Sequence, residues 1–143
     1  MRKIATFQKM NKDTLNIGYS DEQALAQALG YADYKPHTLP HNVCGDIADM
    51  QVKSIGASVT AHTWNIRKYL ANDAAKTFVV ITTSEKRGYR NAYAMTKSEY
   101  IAFCKVFAYR TYAAKSKGGD RKLRLRRATK QIRVWCENHI TPY

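Results

Sequence analysis

Residues 77–83 (TFVVITT) constrain the fold more than any other stretch of this chain. The run is continuous, apolar and rich in β-branched residues, and its length suits a strand better than a helix. A polar stretch, SEKRGYR, follows it, and NAYAMT then alternates into a second strand, so the two predict a β-hairpin. Directly afterwards Thr96 and Glu99 stand at capping-box spacing, and Tyr100, Phe103, Val106 and Phe107 recur at helical intervals. This is the best helix signal in the chain.

Other elements can be placed around that unit. Ser20 and Gln23 have capping-box spacing, and Ala24, Leu25, Ala28 and Leu29 share one helical face before Gly30, which predicts a helix over about 20–30. The Pro-containing stretch 35–41 (KPHTLPH) reads as a loop. HNVCGDI and MQVKSIGASV are β-prone runs on either side of an Ala48-Asp49 turn, a hairpin or two adjacent strands. Trp64, Ile66, Tyr69 and Leu70 suggest a helix over 60–72. After a small and polar stretch at 113–119, residues 122–126 (KLRLR) alternate charge with leucine as an edge strand does, and Ala128, Ile132 and Trp135 fall on one face of a closing helix. The order αββαββαβα predicts a mixed α/β layer fold, a central mixed β-sheet flanked by helices, in a single domain spanning 1–143.

Charge narrows the choice of partner. The chain carries 24 Lys and Arg against 11 Asp and Glu, a formal net charge of +13. Such an excess repels itself in a compact state, and a phosphate backbone relieves it through ion pairing and counterion release. No run of 18 or more apolar residues, signal-like apolar stretch or lipidation motif is found, so the expected setting is soluble and cytoplasmic, with no membrane partner. Cys44, Cys104 and Cys136 are odd in number and widely spaced, which suggests buried free thiols in a reducing compartment. The spacing of His37, His41 and Cys44 invites a zinc reading, but Pro36 and Pro40 disfavour a regular helix through them and no fourth ligand follows at a typical distance.

The segment that carries chemistry is 45–54 (GDIADMQVKS). Side chains alternate along a strand, so Gln51 and Lys53 share one face while Val52 points into the core, and Asp46 precedes them by a few residues. Phosphodiester cleavage uses oxygen ligands that hold a divalent cation against the phosphate, and a group that orients the attacking water. Asp46 and the Gln51 amide oxygen can supply the ligands, and Lys53 can position water and offset charge developing on the phosphate.

On these residues the chain resembles the PD-(D/E)xK nuclease superfamily, the restriction-endonuclease-like fold. Asp46 matches the family's first Asp, and Gln51-Val52-Lys53 matches its (D/E)xK triplet. Gly45 stands where the family name has Pro, and Gln51 replaces the usual carboxylate, a Q-x-K variant that some branches carry. The family often adds an acidic residue from the first helix; here Glu22 can take that place, with Asp21 as a substitute. The resemblance implies a magnesium-dependent (or manganese-dependent) endodeoxyribonuclease of restriction type acting on double-stranded DNA as a homodimer, with Asp46, Gln51, Lys53 and Glu22 catalytic and Asp46, Gln51 and Glu22 on the metal. A Holliday-junction resolvase shares the implied fold, size and charge. Outside enzymes, an inactive nuclease-fold module that binds DNA or RNA, or a basic ribosomal or RNA-chaperone-like protein, also accounts for the charge.

Candidate phosphate contacts lie in two places. Lys86, Arg87 and Arg90 flank the predicted hairpin tip, where a basic loop can enter a groove. The tail carries Lys115, Lys117, Arg121, Lys122, Arg124, Arg126, Arg127, Lys130 and Arg133 against the single Asp120, a density that suits tracking a phosphate backbone. His62 reads as a surface histidine or as a group aimed at the nucleic acid. Most of the ten tyrosines, Tyr89, Tyr93, Tyr109 and Tyr112 among them, read as packing residues.

Overall fold

A computed structural model of the chain describes residues 1–9, 17–31, 47, 50–55, 61–64, 77–110, 121–124 and 128–141. Its elements are β1 (Arg2–Gln8), α1 (Ile17–Ala28), β2 (Met50–Ser54), β3 (Ala61–Trp64), β4 (Thr77–Thr83), β5 (Tyr89–Met95), α2 (Lys97–Phe107), β6 (Ala108–Arg110), β7 (Arg121–Arg124) and α3 (Ala128–Asn138). The architecture is mixed α/β, with a four-stranded sheet in the order β1-β5-β4-β2 and, among the described residues, three helices. β4 pairs antiparallel with β5 and parallel with β2, and β1 pairs antiparallel with β5. β3, β7 and β6 form a second, antiparallel sheet.

The apolar run 77–83 is a strand because both of its faces are buried. Phe78 and Val80 join Tyr93 and Met95 of β5 in a core with Tyr100, Phe103 and Cys104 of α2 and Ile132 and Cys136 of α3. Val79 and Ile81 join Ala92 and Ala94 in a second core with Ala24, Leu25 and Ala26 of α1. Hence α1 covers one face of the sheet, and α2 and α3 cover the other. On the latter side Phe78 and Tyr100 stack at 4.7 Å, and Trp135 meets the edges of Phe103 and Phe107.

The expected hairpin is present as β4 and β5, and the Thr96–Glu99 capping box is formed in both directions, at 3.2 and 3.0 Å. α1 begins at Ile17, so Ser20 lies inside the helix and does not cap it. Its end is as expected. Gly30 takes φ +89°, Tyr31 N–H bonds Ala26 C=O at 2.8 Å and Gly30 N–H bonds Gln27 C=O at 3.1 Å, the paired bonds of a Schellman stop.

Three readings need correction. β1 was not anticipated; it is held by β5, with a register shift between Lys3 and Ala5 that breaks the alternation a strand normally shows. Residues 61–64, assigned to a helix over 60–72, form β3 because β7 supplies a partner; the rest of that helix lies outside the described residues. The KLRLR strand is present as β7, but it stands between β3 and β6 and is not an edge. Cys104 and Cys136 are free and buried, and burial pushes the Cys136 thiol up to about 12; Cys44 lies outside the described residues. Among the described residues no helix is long and apolar enough to cross a membrane.

Two carboxylates tie the periphery to this frame. Glu99 receives the Met1 ammonium, which also bonds Thr141 Oγ1 at 3.0 Å. Glu137 accepts from Lys3 Nζ at 2.8 Å and from the Tyr93 hydroxyl at 2.7 Å. Burial pushes each carboxyl up, but these donors outweigh it, so both sit below the ordinary value of 4.5. A carboxylate depressed in the folded state contributes stability that is complete above its unfolded pKa and disappears as pH falls through the folded one. In urea unfolding at a series of pH values, the stability gap between wild type and Glu137→Gln is therefore expected to be constant near neutrality and to close below about pH 4.5.

Candidate functional site

β2 is an edge strand of the four-stranded sheet, and period-two alternation sorts its side chains. Val52 and Ser54 lie on the α1 side, Val52 in the second core and Ser54 bonded to Asp21. Gln51 and Lys53, level with Phe78 and Val80 of β4, therefore share the α2/α3 side, and both are half-buried. This part of the expected arrangement is present. Immediately upstream, Ile47 and Met50 form an antiparallel bridge with N–H to O distances of 3.2 and 2.9 Å. Asp46 lies outside the described residues.

The first helix does not bring a carboxylate to that face. α1 packs against β1 and β2 from the opposite side of the sheet, so the backbone places Glu22, half-buried, across the sheet from Gln51 and Lys53. Its neighbour Asp21 is buried, accepts a hydrogen bond from Ser54 Oγ and pairs with Arg90 Nε at 3.5 Å. Neither residue joins Gln51, which corrects the expectation that Glu22, or Asp21 in its stead, completes a metal site there. Among the described residues no group of three His, Cys, Asp or Glu side chains could hold a metal. The described part of this site thus offers one neutral oxygen ligand and one ammonium.

Arg90 requires a second correction. Its side chain is only 4% exposed and turned toward α1, on the same strand face as Ala92 and Ala94, so it cannot reach into a groove. The sequence held the signal, because Arg90 shares the parity of those two alanines, whose small side chains leave room beneath α1. Lys86 and Arg87 are exposed at the β4–β5 turn as expected, where Gly88 takes φ +83°. Lys86 Nζ lies 4.2 Å from the Tyr89 ring centre.

Of the tail residues, Lys115, Lys117, Arg126 and Arg127 lie outside the described residues. Arg121, Lys122 and Arg124 lie on β7, paired with β3 and β6. Lys130 is exposed on α3, and Arg133 donates to Ser84 C=O at 3.1 Å. His62 lies on β3 opposite Leu123, and His37 and His41 are outside the described residues. Tyr93 is a core residue as expected: it is fully buried, accepts from Asn91 Nδ2 at 2.9 Å and donates to Glu137, and burial pushes its phenol far above the usual range.

A cavity of about 400 Å³ opens between α2 and α3, lined by Val106, Phe107, Lys130, Gln131, Val134, Trp135 and Asn138. None of its lining comes from β2. Comparison with protein-family models, with curated proteins and with solved structures finds no match to this chain.

The Asp21–Arg90 pair makes its own prediction. Removing one partner strands a buried charge, so Asp21→Ala is expected to cost roughly 3–5 kcal/mol in urea unfolding, whereas Asp21→Leu combined with Arg90→Met is expected to recover most of that loss. Equal destabilisation by the single and the double substitution would show that the pair is not coupled.

Proposed function

We propose that this protein is a metal-dependent endonuclease of restriction-endonuclease-like fold, acting on double-stranded DNA. The observation that carries the reading is the half-buried pair Gln51 and Lys53, on one face of β2 and directly after the Ile47–Met50 bridge. The reading requires that Asp46 bring its carboxylate to the face that carries Gln51 and Lys53, so that a carboxylate, an amide oxygen and an ammonium meet there.

In this reading Asp46 and the Gln51 amide oxygen hold a magnesium ion, whose chemistry is to lower the pKa of bound water and to neutralise phosphate charge. Lys53 orients the attacking water and stabilises the negative charge that grows on the phosphate oxygens. Its half-burial strengthens that effect, since charge interactions weaken in full solvent exposure. Cutting both strands of a duplex calls for two such sites, which is the reason to expect a homodimer.

The neutral Gln51, and an α1 whose two carboxylates stay on the other side of the sheet, favour a second reading, a nucleic-acid-binding module that does not cut. Incubating the purified chain with supercoiled plasmid and with four-way junction DNA, in magnesium, manganese or EDTA, separates the two. The nuclease reading expects metal-dependent cutting that falls about a hundredfold or more in Lys53→Ala and likewise in Asp46→Ala. Preference for the junction substrate would mark a resolvase. Tight binding with no product in either metal would leave the binding module.

A further inference from the structure

Three elements meet at the end of the four-stranded sheet where β4 turns into β5. Lys9 follows β1, and its backbone N–H bonds Gly88 C=O at 2.7 Å, which sets it against the tip of the hairpin. On the other side Arg133 of α3 donates to Ser84 C=O and clamps the first half of that helix to the same hairpin. Lys130 lies about one turn earlier on α3. Lys9, Lys86, Arg87 and Lys130 are all exposed, and the one described carboxylate on the hairpin tip is Glu85.

Three of the other described carboxylates are engaged in ion pairs. Glu137 pairs with Lys3, Asp21 with Arg90, and Glu99 with the Met1 ammonium. The tip is held in shape: Ser84 N–H bonds Tyr89 C=O at 3.2 Å, Tyr89 N–H bonds Lys86 C=O at 3.1 Å, and Lys86 lies over the Tyr89 ring. Cations presented by three packed elements, and not by one solvated helix face, lose less freedom when they grip a ligand.

We propose that this hairpin end is a docking surface for the sugar-phosphate backbone of a nucleic acid, with Lys9, Lys86, Arg87 and Lys130 as its phosphate contacts and Arg133 as the clamp that positions them. Its relation to Gln51 and Lys53 rests on the nuclease reading. Lys53 is level with Val80, and Ser84 lies four residues further along the same direction, roughly 13 Å at strand rise. Along a duplex strand that is on the order of four phosphate steps. The surface thus grips the backbone a short way from the phosphate that Lys53 would face, and it contributes affinity more than sequence preference.

The test is binding of the full chain to a fluorescent 20-base-pair DNA duplex in EDTA across a series of NaCl concentrations. Each phosphate contact contributes about 0.9 to the slope of log affinity against log salt, so replacing Lys9, Lys86, Arg87 and Lys130 together by Gln is expected to reduce the magnitude of the slope by about 3 to 4. A control carrying Arg2→Gln and Lys105→Gln, exposed cations on other parts of the fold, is expected to leave it nearly unchanged. Thermal unfolding confirms that both variants remain folded, and single substitutions at the four positions, each expected to remove about one unit of slope, keep the test usable if the quadruple variant is unstable. An unchanged slope in the quadruple variant, or an equal loss per charge in the control, overturns the proposal. So does loss of binding to vesicles of anionic phospholipid with DNA binding intact. A plasmid that stays uncut while the slope still depends on these four residues sinks the nuclease reading and leaves the docking surface standing; metal-dependent cutting with an indifferent slope does the reverse.

Discussion

The fold depends on burying both faces of β4. Phe78 and Val80 point to α2 and α3, Val79 and Ile81 point to α1, and all four are at most 1% exposed. Full burial of such side chains is worth roughly 1.5–3 kcal/mol each. A strand buried in this way needs a helical layer on each side and a neighbouring strand along each edge. β5 meets the need on one edge through a short turn. On the other edge β2 runs parallel to β4, so the chain must cross over between Ser54 and Thr77, and β3 lies within that connection.

Two polar networks fix how the helical layers sit on this strand pair. On one side Ser54 and Arg90 converge on Asp21, which pins α1 across β2 and β5. On the other, Tyr93, Asn91, Thr6 and Lys3 are joined through hydrogen bonds to Glu137, which pins α3 across β1 and β5. Apolar contact alone has little directional preference. These bonds have a direction, and they set the position of each helix along the strands. The Asp21–Arg90 contact is an ion pair at 3.5 Å: among the described residues Arg90 Nε has no hydrogen-bond partner.

Most local signals in the sequence carry through to the structure, with the capping-box spacing of Ser20 and Gln23 an exception. The β4–β5 hairpin, the capping box of α2, the stop at Gly30 and the face of α3 are each written within a dozen residues, and each is present in the structure. Pairing between distant segments was not legible. β1 exists because β5 offers a partner, β3 because β7 does, and β7 is central because β6 arrives from the end of α2. At the site, period-two alternation placed Gln51 and Lys53 on one face correctly, whereas the choice between Asp21 and Glu22 depends on helix phase. One residue turns the helix by about 100°, enough to exchange a buried ion pair for a half-exposed side chain. Arg90 was taken for a surface cation because a charge at the start of a strand usually is one; its buried partner is sixty-nine residues away in sequence, between positions 21 and 90.

The distribution of charge follows from these same networks. Of the five carboxylates among the described residues, Asp21, Glu22, Glu85, Glu99 and Glu137, three are committed to ion pairs that hold helices or the chain start against the sheet. Acidic residues are scarce in a chain of net charge +13, and spending them on internal attachment leaves exposed cations with few neighbours of opposite sign. Where the attachments crowd together, as along β1, β5 and α3 near Glu137, local charge is balanced. At the hairpin end the one described carboxylate is Glu85, so the exposed cations there outnumber their described neighbours of opposite sign. The fold's way of fastening its helices thus decides which exposed cations keep a described carboxylate beside them.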